Sequence, residues 1–565
     1  MTRRHSAISA LVVLSLLASG SPAQDIEAED RKDPQDAFFE TVDVNVVNIE
    51  VFVSDKSGQP VTGLTRDDFE IFDDGRPVQI TNFYAVADGR PAVPLTVVER
   101  PESQVTEPTP VVARQLPEDQ RLHLVVYIDN FNIEPLHRNR IFNRLRQFIH
   151  RLDEEDRVML VSYDRTLNVR HRFTDNPLLV TSALTELETV TGFRSQANRE
   201  RRDILKAIDN AESSTNVLLR TRQHASSIMN DLRFTLDAMR EMIFSLSGLP
   251  GRKALLYASD GLPMVPARDL FFTIRQKFQD MSAALESQQF DATRQFQTLA
   301  NQANSAGVTF YTIDASGLQS LTAGDAENAR ASSVDGGGPL ADSTNLANLQ
   351  SSIRFIAERT GGTAIVNAND IRRGLSRVEG DFKNYYSLGY SPIRDSDGRF
   401  HKVEVKTVRK GLEVRHRAGY RDKPMSQKMS ERTASSLRYG YQVNPLGVRL
   451  GVGESSRQDD NFVVPFVVQI PLDKVELVPR GTIYEGRVEL YFTAMDEEGA
   501  LSEIQQDKIS IEIPPADLET AQTQHYTYEL SLLMRPGRHV FGAGIRDEYG
   551  ASASFVSRSV VAGSG

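Results

Sequence analysis

Between residues 122 and 383, short apolar runs typical of buried strands alternate with longer segments that have helical spacing. The apolar runs are HLVVYID, RVMLVSYD, KALLYASDG and VTFYTIDASGL, and the helical segments include RNRIFNRLRQFIHRL and LANLQSSIRFIAERTGG. This alternation predicts a mostly parallel sheet covered by helices on both faces, which is a doubly wound, Rossmann-like α/β domain. Ligands of such sheets bind at the carboxyl ends of the strands, where the strand order reverses.

Patterns typical of β structure flank this region on both sides. At 565 residues the chain is long enough for several domains. The predicted organisation is a small β-sandwich-like domain at 38–99, a proline-rich linker at 100–118, the α/β domain at 119–383 with a helical insertion at about 196–247, a β extension at 384–422, a linker at 423–440, and a β-sandwich-like domain at 441–563.

The amino terminus has the pattern of an export signal. Arg3 and Arg4 precede the apolar stretch Ile8 to Ala18, and the small residues Ser21 and Ala23 follow. The apolar stretch is short against the roughly 20 residues that a membrane-spanning helix needs. We therefore predict a signal peptide at 1–23, a flexible leader at 24–37, a periplasmic or extracellular location, and no transmembrane segment after cleavage.

Composition excludes several kinds of site. The chain has no cysteine, so it has no disulfide, no thiolate metal site and no cysteine nucleophile. The formal net charge is −11, and removal of residues 1–23 with their two arginines changes the balance to 63 − 76 = −13. Because the basic clusters are short and mixed with acidic residues, we expect no nucleic-acid partner.

The strand-end motifs resemble a known family. LVVYID and ALLYASDG, with a threonine-bearing loop between them, resemble the von Willebrand factor type A (VWA) domain. The strings VNIEVFVSDKSGQPVTGLTRDDFEIFDDGRPVQITNF and AERTGGTAIVNANDIRRGLSRVEGDFKNYYSLGYSP resemble exported VWA-related proteins of Acidobacteria, over residues 38 to about 422. The resemblance implies a Mg²⁺ site, the metal-ion-dependent adhesion site or MIDAS, which is built from D-x-S-x-S, a loop threonine and a later Asp-Gly.

Carried over residue by residue, this motif is incomplete. Asp129 matches the first aspartate, but the two serine positions fall on Phe131 and Ile133, which offer no oxygen ligand. We expect a degenerate metal site and no standard Mg²⁺ site, and we therefore predict no cofactor, with Mg²⁺ as the alternative. The candidate metal residues are Asp129, Thr191 and Asp260, with Thr189 or Ser195 open as alternatives to Thr191. A loop cap at Asp129 and a turn aspartate at Asp260 are an equally consistent interpretation.

The sequence lacks the common catalytic motifs: it contains no H-E-x-x-H, no G-x-S-x-G and no Walker loop. We therefore predict a non-enzymatic protein that binds another protein or an envelope or matrix component. The predicted partner-binding residues are Asn130, Phe131, Asn132 and Gly261 at the strand-end face. Two alternatives stay open: a hydrolase with a nonstandard site at a domain junction, and a structural scaffold subunit.

Overall fold

The computed structural model describes residues 46–91, 121–318, 339–392 and 397–563. These residues form two compact units, one spanning 46–423 and one that begins at Pro424. The predicted signal peptide (1–23), leader (24–37) and proline-rich linker (100–118) lie outside the described residues, as do both ends of the predicted region 38–99. Among the described residues, each helix is too short or too polar to span a bilayer.

The first unit contains fifteen strands and nine helices among its described residues. The strands are β1 (Val47–Ser54), β2 (Phe69–Asp73), β3 (Arg76–Val78), β4 (Asn82–Ala87), β5 (Arg90–Pro91), β6 (Leu122–Ile128), β7 (Arg157–Tyr163), β8 (Leu167–Thr174), β9 (Arg252–Ser259), β10 (Val308–Asp314), β11 (Ala364–Ile365), β12 (Tyr385–Tyr390), β13 (Phe400–Thr407), β14 (Glu413–His416) and β15 (Gly419–Arg421). The helices are α1 (Pro135–Ile149), α2 (Pro177–Leu187), α3 (Arg194–Asn210), α4 (Ser214–Leu246), α5 (Arg268–Phe278), α6 (Met281–Gln288), α7 (Thr293–Ala306), α8 (Pro339–Arg359) and α9 (Arg372–Lys383).

A six-stranded sheet in the order β11-β10-β9-β6-β7-β8 is the centre of the α/β part. All neighbouring strands are parallel except the edge pair β7 and β8, which is antiparallel. Every residue of β6 is buried, as expected for a strand covered on both faces. Counted from β6, the order is 3-2-1-4-5-6, so the strand order reverses between β6 and β9. The prediction of a mixed α/β fold is therefore correct.

The β strands on either side of the α/β part share two sheets. One has the order β14-β1-β12-β4-β5 and the other β15-β13-β2-β3, and their common core includes Val51, Ile71, Leu388 and Val403. The structure thus differs from the prediction of separate segments at 38–99 and 384–422. The pairing of β1 with β12 joins residues more than 300 positions apart, and local strand patterns carry no information about such a pairing.

The predicted insertion at about 196–247 is built by helices α3 and α4. The stripe of α4 that has helical spacing is buried, and its members are Leu232, Leu236, Met239, Ile243 and Leu246. An apolar stripe of this width packs against the rest of the domain because its burial stabilises the helix more than intrinsic propensity does. Other positions of α4 are exposed, and they include Phe234 and Phe244 as well as polar residues.

The second unit begins with α10 (Met425–Tyr439), which occupies the region predicted as a linker at 423–440. Its described residues form nine strands in two antiparallel sheets. The sheets share one hydrophobic core, in which the rings of Phe466 and Phe541 stack with centroids 4.0 Å apart. The strands are β16 (Arg449–Val452), β17 (Ser456–Gln458), β18 (Asn461–Pro471), β19 (Val478–Arg480), β20 (Ile483–Met495), β21 (Gln505–Ile513), β22 (His525–Met534), β23 (Gly537–Asp547) and β24 (Ala553–Ala562), and a short helix α11 spans Leu518–Ala521.

Candidate functional site

The reversal of strand order brings two aspartates to the same edge of the sheet. Asp129 follows the last residue of β6, and Asp260 follows the last residue of β9. Backbone hydrogen bonds join the two loops: the Asp129 amide donates to the Ala258 carbonyl at 3.0 Å, and the Asp260 amide donates to the Asn132 carbonyl at 3.0 Å. The residues from which the sequence predicts a site are therefore neighbours.

Both carboxylate oxygens of Asp129 accept hydrogen bonds from the protein. Oδ1 accepts from the backbone amide of Asn132 at 3.0 Å, and Oδ2 accepts from Asn132 Nδ2 at 2.9 Å and from the Tyr257 hydroxyl. Asp129 is fully buried, and this burial raises the pKa of its carboxyl to about 6, although the hydrogen bonds from Tyr257 and Asn132 oppose the rise. Asp129 is thus an internal hydrogen-bond acceptor that ties its own loop to β9.

The raised pKa of Asp129 predicts a specific pH dependence of stability. The unfolded carboxyl has a pKa near 3.8, so between pH 4 and 6 the folded chain binds more protons, and stability falls as the pH rises. Across this window the loss amounts to about 3 kcal/mol. In Asp129→Asn we expect a flatter profile, measured by chemical unfolding at several pH values. The matched control is Asp237→Asn, whose carboxylate is 64% exposed; an Asp129→Asn profile as steep as this control would contradict the prediction.

Asp260 is held by the start of helix α1. Its Oδ2 accepts from the Glu134 backbone amide at 2.9 Å and lies 2.9 Å from His137 Nδ1, and this hydrogen bond to Asp260 raises the pKa of the His137 imidazole. The other oxygen, Oδ1, is buried and has no hydrogen-bond partner among the described residues. Oδ2 of Asp260 is therefore held from within the protein by Glu134 and His137.

The two positions that carry serine in the standard motif pack as hydrophobic residues. Ile133 is fully buried in the core of the α/β sheet. The half-buried Phe131 ring lies between Tyr163 and Phe193, at centroid distances of 6.2 and 5.7 Å, and the Arg165 guanidinium lies 5.1 Å from its centroid. Both side chains are therefore used in apolar packing.

The loop with the candidate threonine contacts the strand end through its backbone. The side chain of Thr191 is exposed, whereas its carbonyl accepts from Asn130 Nδ2 at 2.8 Å. The same Asn130 amide donates to Asp164 Oδ1 at 2.8 Å. Asn130 therefore connects three loops at this edge, and it is not free to contact a partner as predicted.

Sequence reasoning missed Arg138, a fully buried arginine that holds the threonine loop in place. Its guanidinium donates to Asn130 Oδ1, to the Val190 carbonyl at 2.8 Å and to the Glu188 carbonyl at 2.9 Å. The signal in the sequence is its position: Arg138 lies on the same helical stripe as the buried residues Ile141, Phe142 and Leu145 of α1. A buried guanidinium requires hydrogen-bond acceptors, and the backbone carbonyls of the threonine loop supply them to Arg138.

Asp314 is a second residue that the sequence analysis did not assign. It ends β10, so the rule that selected Asp129 and Asp260 applies to it as well. It is buried, and it accepts from Ser316 Oγ at 2.5 Å and from Gln350 Nε2 at 2.7 Å. Asp314 thus fixes the loop after β10 to helix α8.

Gly261 has a structural reason to be glycine. Its φ is +91°, and an added Cβ would lie 2.7 Å from the Leu349 carbonyl oxygen of α8. Its amide donates to Ser259 Oγ at 2.7 Å. Helix α8 therefore covers Gly261 closely, and a partner would have to reach this residue past α8.

The donor set at this edge does not fit Mg²⁺. The ion requires about six oxygens in octahedral geometry. Asp129 uses both oxygens internally, Phe131 and Ile133 supply none, and Asp260 is paired with His137. A cluster of acidic and histidine side chains with metal-ligand spacing lies elsewhere, at Asp73, Asp74 and His401, where His401 contacts Asp74 at 2.9 Å and Asp397 at 3.0 Å.

A small crevice of about 90 Å³ opens beside Phe131, between the strand-end loops, the insertion and α8. Its apolar lining includes Phe131, Phe193, Leu262, Pro263 and Leu349. Arg201 and Asp269 also line it, and Arg201 donates to Asp269 at 2.7 Å and to Asp342, outside the lining, at 2.8 Å. Known small-molecule pockets occupy roughly 300 to 1,000 Å³, so this crevice has room for about one side chain.

Comparison with known proteins gives structural similarities alone, because neither a protein-family model nor a curated protein sequence matches the chain. One similar structure is a von Willebrand factor type A protein from Catenulispora acidiphila, with 7% identity, 78% of this chain and 66% of that chain covered, and a TM-score of 0.22. Two others are an aerotolerance-related membrane protein from Bacteroides fragilis (9% identity, 46% and 98% covered, TM-score 0.23) and BatB from Bacteroides thetaiotaomicron (10%, 46% and 98%, 0.21). TM-scores this low carry no argument about function.

Proposed function

We propose that the chain is an exported, non-enzymatic VWA-related protein whose strand-end face binds another protein or an envelope or matrix component without a metal ion. Export, the Acidobacteria-type assignment and the sandwich form of the flanking β regions are parts of this proposal. The observation that carries it is a partly exposed apolar patch beside Asp129 and Asp260, whose carboxylates accept hydrogen bonds within the protein. We call this patch, formed by Phe131, Leu136 and Phe193, the apolar face.

The apolar face combines two segments that meet at the strand-end edge. The threonine loop packs on the start of α1, since a Cβ added at Gly192 would lie 3.0 Å from Pro135 Cδ. Phe193 follows Gly192 and contacts the Phe131 ring, and Leu136 follows Pro135. Leu136 is 82% exposed and Phe193 is 42% exposed. Exposed apolar groups clustered beside a crevice are typical of protein–protein interaction sites, where aromatic anchors supply much of the binding energy.

Substitution of the apolar face is expected to abolish partner binding. We expect Leu136→Asp, Phe193→Asp to lose the species that photo-crosslinking captures on the wild-type face, because burial of an unpaired carboxylate at an interface is costly. The matched control is Met281→Asp, Leu285→Asp on α6, where the two side chains are 65% and 64% exposed. The capture is expected to persist in this control and in the presence of EDTA. Loss in the control variant or on EDTA treatment would contradict metal-independent binding at this face.

The Asp260–His137 pair gives the hydrolase alternative its one specific support, since a carboxylate that orients an imidazole is part of many catalytic triads. A triad also requires a nucleophile at the second imidazole nitrogen. Among the described residues, no hydrogen bond joins His137 to a serine or threonine hydroxyl. The binding function therefore has the stronger support.

A further inference from the structure

We propose that a basic groove in the first unit binds an acidic segment of a partner polypeptide. The groove has a volume of about 1080 Å³ and lies between the turn after β1, helix α9 and strand β14. None of its lining residues belongs to the crevice beside Phe131 or to the apolar face, so this inference does not depend on the function proposed above.

Some of the charges in the basic groove are neutralised within the protein. Arg372 pairs with Asp370 at 2.5 Å, and Arg415 pairs with Asp381 at 2.6 Å. Arg415 also donates to Thr363 Oγ1 at 2.9 Å, which holds its guanidinium against the α/β part. These pairs shape the walls of the groove.

Three further cations in the groove, Lys56, Arg373 and Arg377, form no hydrogen bond or ion pair with any described residue. All three are exposed. Since the acidic residues on the same walls are mostly occupied by Arg372 and Arg415, the unpaired charge of the groove is positive. An anionic ligand would form ion pairs with these three cations.

The unpaired cations come from two elements that face each other. Arg373 and Arg377 are one turn apart on α9, while Lys56 belongs to the turn after β1. A Cβ added at Gly58, in this same turn, would lie 2.8 Å from Arg377 Nη2, so the Arg377 guanidinium lies directly against the turn. A ligand that lies in the groove would therefore be near cations from both elements.

The lining indicates the class of ligand. The groove, with about 1080 Å³, lies at the upper end of the roughly 300 to 1,000 Å³ of small-molecule sites, so it has room for a short extended segment. Arginine side chains bind carboxylates through paired hydrogen bonds, and Ser57, Gln59 and Ser376 offer partners for a peptide backbone. No aromatic residue is among the described lining residues, so the stacking that single-stranded nucleic acids require is missing. These features together favour an acidic polypeptide segment.

The test is fluorescence anisotropy with labelled decaglutamate, decaglutamine and a sulfated polysaccharide as probes. The purified protein is compared with a groove variant, Lys56→Ala, Arg373→Ala, Arg377→Ala, and with a control variant, Arg220→Ala, Arg233→Ala, Lys402→Ala, which removes the same charges from exposed positions outside the groove. Because all six side chains are exposed, we expect the melting temperatures of the three proteins to agree.

The expected result is that decaglutamate binds, decaglutamine does not, and the groove variant binds decaglutamate roughly tenfold or more weakly, while the control variant binds as the wild type does. Added salt should weaken the binding, since exposed charges are screened. Equal affinity of the two variants, or binding of the polysaccharide without binding of decaglutamate, would overturn the proposal.

Discussion

Replacement of Arg138 with alanine is expected to lower the free energy of unfolding of the first unit by about 3 to 5 kcal/mol. The substitution removes the donor to the Val190 and Glu188 carbonyls and to Asn130 Oδ1 while these acceptors stay inside the protein. Buried acceptors without a donor incur their full desolvation penalty. The threonine loop would lose its attachment to α1.

Chemical unfolding followed by circular dichroism measures this effect. The matched control is Arg144→Ala on the same helix, since the Arg144 side chain is 36% exposed and exposed ion pairs contribute about 1 kcal/mol or less. If Arg138→Ala unfolds at the same denaturant concentration as Arg144→Ala, the role assigned to Arg138 is wrong.

The Ile133→Ser variant restores a ligand-type side chain at the second serine position of the standard motif. We expect it to destabilise the first unit by about 3 kcal/mol, because it leaves a cavity in the α/β core and buries a hydroxyl. It is not expected to create a metal site, since the oxygens of Asp129 remain occupied.

Two controls separate these effects. Ile133→Val keeps the position apolar and should cost only about 1 kcal/mol. Leu136→Ser places a hydroxyl nearby at an 82% exposed position and should leave stability almost unchanged. A stable Ile133→Ser protein that binds Mg²⁺ would contradict both the packing and the metal argument.

Local pattern was enough to predict the α/β part. The apolar runs ending at Asp129 and Asp260 predict parallel strands, and the alternation with helices predicts the doubly wound order. The absence of ligand atoms at Phe131 and Ile133 was also readable from the sequence. Each of these predictions depends on residue type and local spacing alone.

The remaining features depend on contacts between distant segments. Asp129 accepts a hydrogen bond from Tyr257, and Arg138 donates to backbone carbonyls near residue 190. No sequence motif specifies these hydrogen-bond partners. The pairing of β1 with β12 likewise joins two strands that the whole α/β part separates in the sequence. The basic groove combines Lys56 with α9, which are also distant in the chain, so no local pattern predicts it.

The central claim is that the strand-end face acts without a metal ion, and isothermal titration of the purified protein with Mg²⁺, Mn²⁺ and Ca²⁺ tests it most directly. The same titrations of Asp129→Asn, Asp260→Asn provide the reference. We expect no saturable heat that differs between the two proteins, because Asp129 uses both carboxylate oxygens within the fold and Asp260 is hydrogen-bonded to His137 through Oδ2. Saturable binding to the wild type that is lost in the double variant would contradict it.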